Sequence, residues 1–326
     1  MMTANNPELH RTIYQRIKDA NRILVISHIR PDGDAIGSLI GLGLALLDAG
    51  KETQMVLSDG LPASFRFLSG SEWVKKQPEG DFDLIISLDI SDPPRAGYTL
   101  NDKTVNINID HHITNLEFGE INFVDPEAVA TAEIVAEHLQ DWGLNSNEQI
   151  ASALLCGIVT DTIGFRTSNM NPKALRIAAN LMEAGANLPQ IYQAALTNRA
   201  FEATRYWGLA LCKMQREDRL IWAELTLEDR ATAGYNGNDD ADLNNLLSTI
   251  SDCDITVLFV EQKGERVKIS WRSQPGWDVS KLASHFGGGG HPAAAGAEIN
   301  GNFTEVKAQV LLTTKEFLIN RTLQLN

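Results

Sequence analysis

The sequence predicts an α/β protein of two domains, the first on a doubly wound, mainly parallel sheet and the second a smaller α/β domain. Three observations carry this. Through residue 110, short β-branched apolar runs alternate with stretches of helical periodicity, as strands joined by helical crossovers do. Those runs are apolar on both faces, which suits a parallel sheet covered on each side. At 326 residues the chain is long enough for two separate cores, and its composition changes after the turn-forming Gly185-Ala186-Asn187-Leu188-Pro189.

Residues 7–21 read as an amphipathic helix with Leu9, Ile13, Ile17 and Ala20 on one face, placed to cover a sheet edge. Residues 22–27 form the first strand. The helix over 35–49 is apolar at Ile36, Leu39, Ile40, Leu44 and Leu47, and Gly50 stops it. Strands follow at 53–57, 84–88 and 105–109, with Asp92 in a turn. Asp125 is expected to cap a helix running to Trp142, and helices are expected over 148–160 and from Asn171-Pro172 to Ala184. Residues 190–212 read as helical and contain the polar junction Thr197-Asn198-Arg199, where the boundary between the two compositions is placed. The expected domains are therefore 1–188, a helical linker over 189–212, and 213–326. In the last of these, strands at 220–225, 255–260 and 267–271 and helices at 278–286 and 303–320 complete the reading.

A formal charge of -14 excludes a protein that tracks long nucleic acid by neutralising many phosphates, although a small anion at a local cationic site is compatible with it. Cys156, Cys212 and Cys253 are far apart and set in apolar surroundings, so they read as reduced core residues. The polar first residues lack a signal-peptide core and no apolar run reaches membrane-span length, so a cytoplasmic location is expected.

The candidate site is a set of metal-ligand side chains at element ends. His28, Asp32 and Asp34 crowd the loop after the first strand, where open α/β sheets bind ligands. Asp89 ends the 84–88 strand, Asp110-His111-His112 ends the 105–109 strand, and Asp161 ends the 148–160 helix. Asp32-Gly33-Asp34 alone is an ordinary turn, but carboxylates that converge repel unless a cation lies between them. Carboxylates and imidazoles without thiolates suit Mn²⁺, Fe²⁺, Zn²⁺ or Co²⁺. His10, His138 and His285 stand outside these motifs and read as structural.

HxxxDxD at His28, Asp32 and Asp34, the lone Asp89, Asp110-His111-His112 and the later Asp161 resemble, in order, the four motifs of the DHH phosphoesterase superfamily. Gly287-Gly288-Gly289-Gly290-His291 with Ala294-Ala295-Gly296 resembles its associated C-terminal domain. The resemblance implies two divalent ions, Mn²⁺ the first choice, in a cleft between the domains. One would be held by His28, Asp32 and Asp89 and the other by Asp34, Asp89, His111 and Asp161, with a hydroxide between them attacking a phosphate ester. It makes His112 the general acid or a charge stabiliser at the phosphate or leaving group, and Asp110 the residue that orients the loop.

Further along, Arg272 and Ser273 match a strand-end pair that would grip a substrate phosphate together with Gly288, Gly289, Gly290 and His291, a helix after the glycines adding its positive end. Arg95 is a second candidate for that duty or closes a surface loop. Trp271, Trp277 and Phe286 read as core, with base stacking as the other use. Two departures stand out: Pro292-Ala293 follow His291, and Ile163 precedes Gly164 after Asp161-Thr162.

The layout most resembles two-domain bacterial enzymes that degrade short oligoribonucleotides (nano-RNA) and dephosphorylate 3'-phosphoadenosine 5'-phosphate. The alternatives are a phosphodiesterase for cyclic di-AMP or linear dinucleotides and, in another class, a non-catalytic nucleotide sensor. The expected partners are short single-stranded RNA or nucleotides, with no duplex and no membrane, in a homodimer.

Overall fold

The structure, a computed structural model, describes residues 6–100 and 103–325. The chain divides into two compact units, one ending at Asn198 and the other starting at Arg199.

The first unit is built on a parallel sheet of β1 (Arg22–Ile26), β2 (Glu52–Val56), β3 (Val74–Lys75), β4 (Leu84–Leu88), β5 (Ile107–Asp110) and β6 (Ile121–Val124), in the order β3-β2-β1-β4-β5-β6. The chain winds outward from β1 through β2 to β3, then returns to the other side of β1 with β4. The carboxyl ends of β1, β4 and β5 are therefore neighbours at the point where the winding reverses, the usual ligand position in such sheets. The edge strands β3 and β6 escape the sequence reading because one has two residues and the other is only partly apolar.

Helix α1 (Pro7–Asp19) starts on Asn6, whose side chain accepts from Glu8 N, and buries Leu9, Ile13 and Ile17 as expected. Helix α2 (Gly33–Asp48) is buried on every face from Gly33 to Leu46. Such enclosure requires close neighbours, and its glycines allow them. A Cβ on Gly37 would lie 2.5 Å from the Ala153 carbonyl oxygen and 2.6 Å from Gly157 N, so α2 meets later helix backbone directly.

Helix α3 (Thr131–His138) is shorter than the expected 125–142 segment. Asp125 does not cap it: its Oδ1 accepts from Glu127 N in a turn, and its carboxylate lies 3.5 Å from Lys173 Nζ. The helix starts late because Val129 N donates to the Glu133 side chain at 2.6 Å rather than entering a helical ladder. Helices α4 (Glu148–Asp161), α5 (Pro172–Glu183) and α6 (Leu188–Tyr192) complete the unit, with Asn147, Asn171 and Asn187 as caps.

The second unit holds α7 (Phe201–Cys212), β7 (Gln215–Glu217), β8 (Leu220–Leu225), α8 (Leu227–Ala233), α9 (Leu243–Leu247), β9 (Ile255–Gln262), β10 (Arg266–Ser273), α10 (Ser280–His285), β11 (Gly289–His291), β12 (Ala294–Asn300) and α11 (Phe303–Leu325). Its sheet runs β11-β12-β10-β9-β8-β7, parallel only between β8 and β9. Trp271, Val257 and Phe259 share one core with residues of α10 and α11, and Leu225, Leu258 and Val260 share another with residues of α7, α8 and α9.

Residues 189–212 do not form a separate helical linker. Ile191 of α6 is buried in the first unit and Tyr206 and Ala210 of α7 in the second, with the helix broken at 198–200. Cys156 and Cys253 are buried, but Cys212, the last residue of α7, is exposed, which corrects its reading as a core residue. Among the described residues no helix is long and apolar enough to cross a membrane.

Since the carbonyl and amide facing Gly37 are backbone atoms that cannot rotate away, Gly37→Ala is expected to destabilise the first unit by about 1–3 kcal/mol. Equilibrium urea unfolding would measure it, a wild-type midpoint meaning that the two helices can separate without cost.

Candidate metal centre

The loop after β1 is built to face inward. Ser27 Oγ donates to the Leu88 carbonyl at 2.7 Å, tying the ends of β1 and β4 together. His28 is buried, with Nδ1 2.9 Å from its neighbour Ile29's carbonyl oxygen, so Nδ1–H donates there and Nε2 turns to the carboxylates. Nε2 lies 3.2 Å from Asp89 Oδ2 and 3.6 Å from Asp32 Oδ2. Asp32 is the N-cap of α2, its Oδ1 accepting from the amides of Asp34 and Ala35, which leaves Oδ2 toward the site.

Asp34, one turn into α2, is buried and reaches the start of α3. Its Oδ2 accepts from Thr131 N at 2.6 Å and its Oδ1 from Ala132 N at 2.9 Å. Asp89 follows β4 with φ of 60°, a left-handed conformation that Asp tolerates better than most residues. Its two oxygens face opposite ways: Oδ2 toward His28, and Oδ1 toward His111 Nε2 at 3.7 Å and His112 Nδ1 at 3.5 Å, with Thr131 Oγ1 donating to Oδ1 at 3.1 Å. His111 Nε2 also lies 3.9 Å from Asp34 Oδ2 and 3.8 Å from Asp161 Oδ2, while its Nδ1 sits 3.3 Å from the Ala128 carbonyl.

Asp110 faces none of these atoms. Its Oδ1 accepts from the amides of His111 and His112 and, at 2.8 Å, from His112 Nδ1, while Oδ2 accepts from Asn115 Nδ2 at 2.6 Å. Burial alone would raise the Asp110 pKa, but the bonds from His112 and Asn115 outweigh it and hold the carboxyl below its ordinary range. Burial likewise opposes charge on His112, yet the Asp110 bond and the nearby Asp89 keep that imidazole pKa raised.

The structure thus brings His28, Asp32, Asp34, Asp89, His111, His112 and Asp161 together. Their donor atoms form three overlapping groups: His28, Asp32 and Asp89; Asp34, His111 and Asp161; and Asp89, His111 and His112. The chemistry of this set fits a divalent cation. His28 Nε2 is buried and faces only the carboxylate oxygens of Asp89 and Asp32, without a well-aligned hydrogen bond to either. Burial, then the charges of Asp89, Asp161 and Asp32, push the Asp34 carboxyl well up, and burial with neighbouring carboxylates pushes Asp161 to about 6. For His28, the bonds and charges of Asp32 and Asp89 overcome burial and raise the imidazole to about 10. Imidazole and carboxylates share protons where a cation would serve the same electrostatic need.

Thr131 and Ala128, which touch Asp34, Asp89 and His111, and Asn115 and Glu133, which hold Asp110 and the turn before α3, escape a reading by ligand type because they act through hydrogen bonds formed only on folding. Arg95 lies beside the centre: its carbonyl accepts from Ile29 N at 2.7 Å, and its charge acts on both Asp32 and His112. Ile163, where a glycine would be unstrained, has a φ of 49°.

The C-terminal residues gather within the second unit. Arg272 is half-buried, donating to its neighbour Trp271's carbonyl at 3.0 Å, and burial lowers its guanidinium pKa. Beside it, Thr256, Ser273 and Gln274 line a small pocket. Ser273 Oγ bonds the carbonyls of Pro292 at 3.1 Å and Trp277 at 3.3 Å, anchoring the turn after His291. The glycine run differs from expectation. No helix follows it; α10 precedes it, and Gly289, Gly290 and His291 form the edge strand β11 against β12. Gly288 and Gly290 have no room for a Cβ over Ala297 and Ala295, whereas Gly289 faces open space. Trp271 is core, its Nε1 donating to Thr314 Oγ1, so it offers no ring to a base; Phe286 stacks on it and is partly buried, as is Trp277.

Residues 22–158 match the DHH family, N-terminal domain, and residues 226–319 match the DHHA1 domain. The chain is 36% identical over 307 residues to the bifunctional oligoribonuclease and PAP phosphatase NrnA of Thermus thermophilus, covering 91% of this chain and 90% of that protein. Among solved structures it is similar to an exopolyphosphatase-related protein of Bacteroides fragilis, with a TM-score of 0.85 at 24% identity over 95% of this chain and 97% of that one. The fold also resembles RecJ of Thermus thermophilus solved with Mn²⁺, with a TM-score of 0.54 at 14% identity over 95% of this chain and 54% of that one.

Metal binding should release protons. His28, at about 10, and Asp161, at about 6, are both raised, and both must be deprotonated to act as ligands. Metal affinity is therefore expected to rise with pH from 5 to 9, by about tenfold per unit for each proton released, and more steeply below about 6 than above it. Calorimetry of Mn²⁺ binding in buffers of different ionisation enthalpy would count the protons; a pH-independent affinity would contradict this electrostatic account.

Proposed function

We propose, because this chain belongs to the DHH family of phosphoesterases, that it hydrolyses short oligoribonucleotides to mononucleotides and 3'-phosphoadenosine 5'-phosphate to AMP. The observation that carries the reading is the divided carboxylate of Asp89, one oxygen toward His28 and the other toward His111, as a ligand shared by two cations would be. His28, Asp32 and Asp89 would hold one ion, and Asp34, Asp89, His111 and Asp161 the other, with Mn²⁺ our assignment. When bound, such a pair supplies an acidified water and Lewis-acid neutralisation of phosphate oxygens.

The chain's own residues do the rest. Asp110 accepts from His112 Nδ1, which fixes the ring and leaves Nε2 as the nitrogen available to substrate. The Asp110 bond and the Asp89 charge favour the protonated ring against its burial, and His112 would give its Nε2 proton to the leaving oxygen as general acid. Thr131 holds Asp89, and the amides of Thr131 and Ala132 hold Asp34, so neither carboxylate has to reorganise during reaction.

Arg272 is our candidate for the group that binds a second substrate phosphate, with Ser273, Gly288, Gly289, Gly290 and His291 shaping its surroundings. Arg95 is assigned electrostatic support beside His112. A cytoplasmic homodimer acting on single-stranded fragments and mononucleotides is the setting we infer, the acidity of the chain disfavouring long nucleic acid. The name of the Thermus thermophilus relative, which pairs the two activities, supports the substrate class.

Turnover by metal-stripped protein should return on adding Mn²⁺ for 5'-phosphorylated diribonucleotides and 3'-phosphoadenosine 5'-phosphate, and not for pyrophosphate. Activity confined to cyclic di-AMP would overturn the substrate assignment, and silence on every substrate would overturn the enzymatic one. Asp89→Ala is expected to lose turnover altogether. Arg272→Ala should instead raise KM about tenfold to a hundredfold, the loss of hydrogen bonds to a charged group.

A further inference from the structure

We infer that the first unit carries another metal site, apart from the candidate centre: a transition-metal clip between α1 and the end of α3, made by His10, His138 and Asp141. His10 lies in the first turns of α1, His138 is the last residue of α3, and Asp141 follows one turn later. One donor atom from each lies within 4.8 Å of the other two. Asp141 Oδ2 is 2.9 Å from His138 Nδ1 and 3.8 Å from His10 Nδ1. Ligand atoms around one tetrahedral ion with bonds of about 2.0–2.1 Å stand about 3.3 Å apart. The facing atoms of the candidate centre have a comparable spread, 3.2 to 3.9 Å.

The surroundings are those of a built site. The two histidine side chains are 15% and 10% exposed, so their rings are held by packing. His10 meets Phe123 edge-on at 5.3 Å between centroids, and His138 lies 5.9 Å from the Trp142 ring and 4.5 Å from the His10 ring. On the far side of its ring, His138 Nε2 is 3.7 Å from the Glu137 carboxylate, which adds negative charge beside the ring without a hydrogen bond to it. His138 also ends a helix, where the backbone dipole favours a cation. A surface cavity of about 590 Å³ opens over the three side chains, giving access and room for a water or an anion as fourth ligand next to Arg11.

The donor set selects the ion. Two imidazoles to one carboxylate prefer Zn²⁺, Co²⁺, Ni²⁺ or Cu²⁺, whereas the carboxylate-rich candidate centre also suits the harder Mn²⁺. The clip would act on structure, not on substrate. It joins α1 to a helix whose opposite end, about 10 Å away at 1.5 Å per residue, holds Asp34 and Asp89. A cation there fixes the helix that the candidate centre leans on.

The test is a zinc count. Full-length wild type, Asp141→Ala and His10→Gln would each be dialysed against excess Zn²⁺, desalted, and assayed for zinc per chain by emission spectroscopy. Asp141 is 53% exposed, so its removal leaves the core intact, and the second variant keeps most of the histidine's volume. Both variants are expected to hold one zinc fewer than wild type, with Mn²⁺-supported turnover in zinc-free buffer within twofold of it. Equal zinc counts in folded wild type and variants would overturn the site. The readout is a difference between proteins that share the candidate centre, so it stands whatever that centre binds.

Discussion

Four carboxylates, Asp32, Asp34, Asp89 and Asp161, are held close enough to repel one another, and the first unit is arranged around that constraint. Two of them are buried, where an isolated charge costs several kcal/mol. The fold answers with hydrogen bonds from backbone amides. Asp32 takes the first amides of α2, Asp34 the first amides of α3, and Asp110 the amides of its own histidines. Helix starts carry partial positive charge and unpaired N–H groups, so these are the places in a chain best able to hold anions without a counter-charge. A cation held there would neutralise what the amides leave.

This arrangement explains features distant from the chemistry. The enclosed helix α2 must bring Asp34 to α3 while leaving Asp32 outside, and it does so by running against α4 on glycine contacts. A Cβ on Gly157 would lie 2.5 Å from the Ala132 Cβ and 3.0 Å from Asp34 Oδ1, so that glycine guards the ligand's position as well as the helix packing. The buried Glu133, which receives Val129 N, and Lys173 hold the turn ahead of α3 in place. Positive φ angles at Asp89 and Ile163 fall where the chain leaves β4 and α4 at the site, a pattern seen where geometry outweighs local preference.

Much of this was legible in the sequence, for identifiable reasons. Strand and helix runs showed because parallel strands are apolar on both faces, and His28, Asp89 and Asp110-His111-His112 stood out because each ends such a run. What was hidden depends on contacts distant in sequence. Nothing local says that Asp125 turns instead of capping, since that depends on Lys173 and on Glu133 taking an amide. The break within 189–212 was legible at the polar Thr197-Asn198-Arg199, but which core each helical half joins was not. The glycine run reads as an anion loop by composition, but Gly288 and Gly290 are small because β12 lies against them. The His10, His138 and Asp141 group was illegible for the same reason, its members coming from two helices that meet only after folding.

The candidate ligands are drawn from residues 28 to 161, and no single loop supplies enough of them to hold an ion. During synthesis, a chain that has reached His112 still lacks Asp161 and the whole of α3 and α4, while its aspartates already carry their charges. Within the candidate centre, only the Asp34, His111 and Asp161 group is incomplete at that point, whereas His28, Asp32 and Asp89 are already in the chain. An ion held by the Asp34, His111 and Asp161 group could bind only once α4 has brought Asp161 to the site, so that binding would draw the chain toward the folded state.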